Sequence, residues 1–237
     1  MLPLLRYRRW LPAGALVVGA CVPDLHYVLQ FGRVDSHTLP GLFTFCLPMG
    51  LLTLLWLELL VLPVLRHTLP SVGGVQLTRF VYTAGLPQGL RGWALTMLAV
   101  LVGACTHLLW DGFTHVRMWP ASELYPGLRV EVGARRLLFA SVLQYVSSAV
   151  GSLIVLGAMA RAYPRLPRVP AGSWSRFLPV LLPTLIGAVW MLGLRLPHHR
   201  PLGSLYGQLW HLFWPTVTGA LAGLTLACAW LRARLTP

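Results

Sequence analysis

The chain contains no lysine. Its 19 basic residues are all arginine, six residues are acidic, and charged residues make up 11% of the 237 positions. A soluble domain carries roughly 25% charge, so a water-exposed surface of the usual extent is excluded. Cysteine is scarce too: Cys21, Cys46, Cys105 and Cys228 are scattered through apolar stretches with no close pair. That spacing excludes a disulfide framework or a zinc knuckle, and the four read as small buried hydrophobes. There is no internal repeat, low-complexity tract or separate soluble domain, which counts against a transporter built from repeats.

The rest of the chain is apolar, at 56% hydrophobic residues and a mean hydropathy of +0.67. Runs of the ~20 residues needed to cross a bilayer fall at about 11–31, 39–65, 93–116, 137–160, 177–194 and 205–231. They predict an all-α, polytopic membrane bundle of about six transmembrane helices, one integral membrane domain covering residues 1–237. Val18-Gly19-Ala20-Cys21 loosely resembles a lipoprotein cleavage site, but the apolar run continues past it. The small-residue stripe Ser147, Ser148, Gly151 and Ser152 suits close packing of the fourth segment.

The net charge of +13 sits in short Arg groups between the apolar segments. Topology and anionic lipid headgroups explain such groups better than nucleic acid does, so membrane lipids are the expected partners and nucleic acid is not. Placing the N-terminus in the cytoplasm assigns twelve Arg residues to the inner side and seven to the outer. This bias predicts both termini inside.

Inside the third segment, His107, Asp111 and His115 recur every four residues and share one slowly drifting helix face. Ionisable groups in a membrane segment are costly and mark functional sites. The topology gathers more of them. Asp24 and His26 lie at the outer end of segment one, His37 just before segment two, and His198, His199 and His211 near the same surface; only His67 falls on the other. Imidazole and carboxylate are the usual zinc ligands where thiolates are lacking. The three rungs span ~12 Å at ~1.5 Å per residue and cannot all meet one ion. An adjacent pair can, joined by Asp24 and His37, with Asp111 bridging two ions or orienting a histidine. The metal-ligand candidates are therefore Asp24, His37, His107, Asp111 and His115, and the catalytic candidates are Asp24 and Asp111. A structural role competes: Asp24 could cap backbone groups freed by Pro23, and a lone histidine often only packs helices.

Three blocks carry a family resemblance: Gly19-Ala20-Cys21-Val22-Pro23-Asp24, Ser36-His37-Thr38-Leu39-Pro40-Gly41-Leu42-Phe43, and His107-Leu108-Leu109-Trp110-Asp111-Gly112-Phe113-Thr114-His115. They resemble the signatures of the domain of unknown function 4184 family of bacterial membrane proteins. These in turn are similar to YdjM-type membrane-bound metal-dependent hydrolases. The same elements faintly resemble the ligand pattern of zinc phospholipase C and P1-type nucleases, which implies Asp24, His37, His107 and Asp111 as metal ligands and phosphoesters, lipids among them, as substrates. The chain departs from the family in opening Met1-Leu2-Pro3, without the short N-terminal His-containing element the family usually carries, so either a missing ligand or a true start upstream is expected.

The resulting expectation is a hydrolase of the bacterial inner (cytoplasmic) membrane, using a divalent metal, zinc, on phosphoester or lipid-linked substrates at the outer face. Arg117 or Arg195 would hold an anionic headgroup. The alternative is a non-enzymatic membrane protein whose His/Asp cluster serves helix packing, lipid binding or partner binding. A lipid phosphatase with a His nucleophile is set aside, because its basic and Ser-Gly-His signatures are not found.

Overall fold

The computed structural model describes residues 11–30, 32, 34–81, 85–133, 135–196 and 205–235. Within them the chain is a helical membrane bundle. Its elements are α1 (Ala13–Leu29), α2 (Leu39–Thr68), α3 (Gly89–Thr114), α4 (Phe139–Ala162), α5 (Trp174–Arg195) and α6 (Leu205–Leu235). The last five contain stretches long and apolar enough to cross a bilayer, while α1 is shorter. The six expected spans thus appear as five long helices and one short one. The short one ends at Pro12 on one side and at Gln30, in the left-handed conformation, on the other, and Pro23, which lacks an N–H, bends it through a 3-10 turn at Val22–Asp24.

Proline also shapes α2. The π-turns Leu42–Cys46 and Leu57–Val61 sit just before Pro48 and Pro63, absorbing the hydrogen bonds those rings cannot donate. Thr38 caps the helix start, its Oγ1 accepting from the Gly41 N–H at 3.1 Å.

Glycines set the closest crossings. A Cβ on Gly19 would lie 2.2 Å from the Val100 carbonyl oxygen, and one on Gly103 would lie 2.3 Å from that of Leu16, so α1 and α3 meet backbone to backbone. Gly219 and Gly223 of α6 do the same against Gly187 and Pro183 of α5. The Trp56 indole donates to Thr225 Oγ1 at 3.2 Å, and Val61, Val64, Val180 and Cys228 form a buried cluster, so α2 holds the α5–α6 pair.

Two features differ from expectation. The segment between α3 and α4 is not a plain loop: β1 (Arg129–Val132) and β2 (Arg135–Leu138) pair antiparallel, with Gly133 at positive φ in the turn, because Arg129-Val130-Glu131-Val132 alternates polar and apolar. A second, two-residue hairpin joins Ser71–Val72 to Val75–Gln76 through Gly73 and Gly74. The small-residue stripe of α4 makes no close helix crossing among the described residues. A Cβ on Gly151 would meet nothing within 4 Å, and Ser148 and Ser152 are exposed. Ser147 alone finds a neighbour, accepting from the Trp110 indole at 3.3 Å.

Candidate metal centre

The α1–α3 crossing brings the end of one helix against the end of the other. Because Gly19 and Gly103 carry no Cβ, the α1 backbone comes near enough for His107 Nδ1 to donate to the Ala20 carbonyl at 2.8 Å. That bond leaves Nε2 as the bare acceptor nitrogen. One turn further on, Asp111 points to the same side, and the break at Pro23 turns Asp24 towards both. The link before α2 completes the arrangement. A Cβ on Gly41 would overlap the Asp35 carbonyl oxygen, so only glycine lets residues 34–38 fold back onto the helix start. Ser36 is fully buried there, and its Oγ lies 3.0 Å from His37 Nδ1 and 3.1 Å from His26 Nδ1. His26 Nδ1 also donates to the Pro23 carbonyl at 2.9 Å.

His37 Nε2 stands 3.3 Å from Asp24 Oδ1 and 3.3 Å from Asp111 Oδ2. His107 Nε2 stands 3.1 Å from the same Asp111 oxygen and 3.8 Å from Asp24 Oδ2. One ligand atom from each of Asp24, His37, His107 and Asp111 lies within 4.8 Å of all the others, a group close enough to hold a metal ion. Tetrahedral ligands at 2.0–2.2 Å from zinc stand roughly 3.3–3.6 Å apart, so the donors are near coordination spacing. His107 Nε2 sharpens the case. It is buried and has no hydrogen-bond partner among the described residues despite the Asp111 oxygen beside it. A nitrogen lone pair facing a carboxylate repels it unless a proton or a cation lies between.

The carboxylates raise the His37 imidazole to about 9; the Asp111 bond contributes most and Asp24 next, against partial burial, which lowers it. Without a metal, His37 is therefore an imidazolium bridging two carboxylates through neutral pH.

Four of the five metal-ligand candidates are thus in one group. His115 stands beside it: it closes the end of α3, with Nδ1 3.7 Å from Asp111 Oδ1 and 3.3 Å from the Asp111 carbonyl oxygen. Asp111 touches His37 and His107 with one oxygen and faces His115 with the other. His26 lies behind the group, connected through Ser36. His211 is exposed on α6, His67 is exposed in the last turn of α2, and His198 and His199 lie outside the described residues.

Above the group opens a cavity of about 450 Å³. All three aspartates of the chain, Asp24, Asp35 and Asp111, line it, and no arginine among the described residues does. Arg117 is exposed, and Arg195 donates to Gln30 Oε1 at 3.1 Å, so neither headgroup candidate reaches the cavity wall. Sequence reasoning overlooked Asp35 as a wall residue, the link from Ser36 to His26, and the contributions of Tyr27, Gln144 and Trp210. Ser36 could have been found, since it precedes His37 directly.

A family model described as Domain of unknown function (DUF4184) matches residues 1–229. The chain belongs to this family. No curated protein and no solved structure matches it. For this member of the family, then, chemistry has to be read from the centre itself.

Proposed function

We propose that this protein is a membrane-bound, metal-dependent hydrolase acting on phosphoester or lipid-linked substrates at the outer face of the bacterial inner membrane. The observation that carries the reading is His107 Nε2, a buried lone pair without a hydrogen-bond partner among the described residues, aimed at a group of two carboxylates and a second imidazole. Asp24, His37, His107 and Asp111 would hold a divalent ion, with zinc favoured by the nitrogen and oxygen donor set. Such an ion supplies Lewis acidity and activates water near neutral pH.

The protein's own groups define the remaining roles. The Ala20 carbonyl fixes the His107 tautomer, and Ser36 orients His37. Asp24 is the more open carboxylate, its side chain 41% exposed against 14% for Asp111, and it borders the cavity where a substrate would enter. It is the better placed to take a proton from an attacking water, while Asp111 orients both histidines.

Purified protein should hydrolyse a chromogenic phosphodiester such as bis-p-nitrophenyl phosphate. Chelation should abolish the activity, zinc should restore it, and His107→Ala should show no rescue. Hydrolysis indifferent to chelator, or absent at every divalent metal tried, would contradict the reading.

One observation favours a second reading. A metal-free His37 already joins Asp24 and Asp111 as an ion-paired bridge, so the cluster could tie α1, the link and α3 together without catalysis. In that case His37→Ala lowers stability while chelator changes nothing.

A further inference from the structure

Three of the four donors stand on helical turns: Asp24 on the 3-10 turn of α1, and His107 and Asp111 on α3. His37 comes from the turn before α2. A ligand on such a segment is placed less accurately than one on a helix unless other contacts hold it. The backbone there is held, because Gly41 packs on the Asp35 carbonyl and the Cys46 thiol donates to the Ser36 carbonyl at 3.4 Å. The His37 ring still turns about its own side-chain bonds. Behind it, at Nδ1, stands Ser36 Oγ.

Ser36 Oγ is itself a rotor. What fixes it is His26, a buried imidazole that the metal centre leaves without a role. His26 Nδ1 lies 2.9 Å from the Pro23 carbonyl and 3.1 Å from Ser36 Oγ. A carbonyl oxygen has no proton to give, so this nitrogen carries one, and Ser36 accepts from it. A histidine that presents Nε2 to a metal carries its proton on Nδ1, so Ser36 then accepts from His37 as well, one lone pair for each ring. A single chain of hydrogen bonds thus runs from the Pro23 carbonyl through His26 and Ser36 to His37. The break at Pro23 sets two donors, Asp24 directly and His37 through this chain. Packing alone does not account for the arrangement. The His26 ring sits 3.8 Å from Tyr27 and edge-on to Phe45 at 6.4 Å, contacts that a phenyl ring could also make, whereas the two bonds at Nδ1 need an N–H. Ser36 is fully buried and His26 is 9% exposed, so solvent does not readily replace that donor.

We infer that His26 is a positioning residue of the metal centre, which acts through Ser36 to hold the His37 ring with Nε2 towards Asp24 and Asp111. This rests on the metal-dependent reading and assigns the anchor of the one ligand that no helix carries.

The test is the zinc affinity of the full chain in detergent, measured by competition with a chromophoric chelator. His26→Phe keeps a ring and loses the N–H; it should bind zinc about tenfold to a hundredfold more weakly, as loss of a partner to a ligating histidine does. His26→Asn, whose amide can place an N–H where Nδ1 stood, should restore most of that loss although it fills the space less well. Ser36→Ala should match His26→Phe, and the double variant should lose no more than either alone, because both act through one chain. Unchanged affinity in His26→Phe, no rescue by His26→Asn, or losses that add in the double variant would overturn the inference. The two readings fail differently: zinc on the unmutated protein together with any of those outcomes defeats the positioning role alone, whereas no zinc on any preparation defeats both.

Discussion

His107 has both ring nitrogens assigned by the fold. Nδ1 is held by the Ala20 carbonyl, and Nε2 is presented to Asp24, His37 and Asp111. His37 has the opposite freedom, because Ser36 Oγ is a rotor that can donate or accept. This gives the residue scale a pH signature. With its value raised from 6.5 to about 9, the metal-free imidazolium stabilises the fold fully below about pH 6.5, and that contribution is lost as pH rises through about 9. Metal binding requires the neutral ring, so zinc should stabilise more as the pH rises over the same interval. Thermal unfolding followed from about pH 6 to about pH 10 should show a falling midpoint without zinc and a widening gap between zinc-loaded and zinc-free protein. A zinc-free midpoint flat across that interval would rule out the bridge.

At the scale of elements, the α1–α3 crossing controls the centre from a distance. Gly103 lies one turn before His107, and its missing side chain leaves room for the Leu16 carbonyl and the Ala20 amide. Gly103→Val should push the helices apart, costing about 1–3 kcal/mol of stability as overpacking does, and should break the His107–Ala20 bond. Gly151→Val on α4, where the added side chain meets nothing, is the matched control. Unfolding of both variants in detergent checks this; equal stability would mean that the crossing is not close in the membrane. The turn at Pro23 acts similarly, since a straight helix through Asp24 would carry that carboxylate round to another face.

For the whole molecule, the legible part of the fold was what lipid makes expensive. Long apolar runs announced the spans, and Asp24, His107 and Asp111 stood out because an ionisable group in such a run needs a partner. Their convergence followed from which helix ends share a surface. What remained hidden depended on contacts between distant segments. Trp210 reaches the cavity from the last helix, and Gln144 from a helix otherwise open on its sides. The hairpin at 129–138 was legible in its alternation but too short to stand out beside long helices. The α4 stripe misled because small residues permit close packing without requiring it. His115 shares the helix face of His107, but α3 ends at Thr114, so its ring meets Asp111 from beyond the helix.

The central claim is that the four donors Asp24, His37, His107 and Asp111 form a metal centre. The direct measurement is metal content per chain, by inductively coupled plasma mass spectrometry, of protein purified from membranes without added metal. The expectation is close to one zinc per chain in the unmutated protein, with near-complete loss in His107→Ala and Asp111→Ala and retention in Asp35→Asn. No bound metal in the unmutated protein, or equal metal in all four preparations, would contradict it.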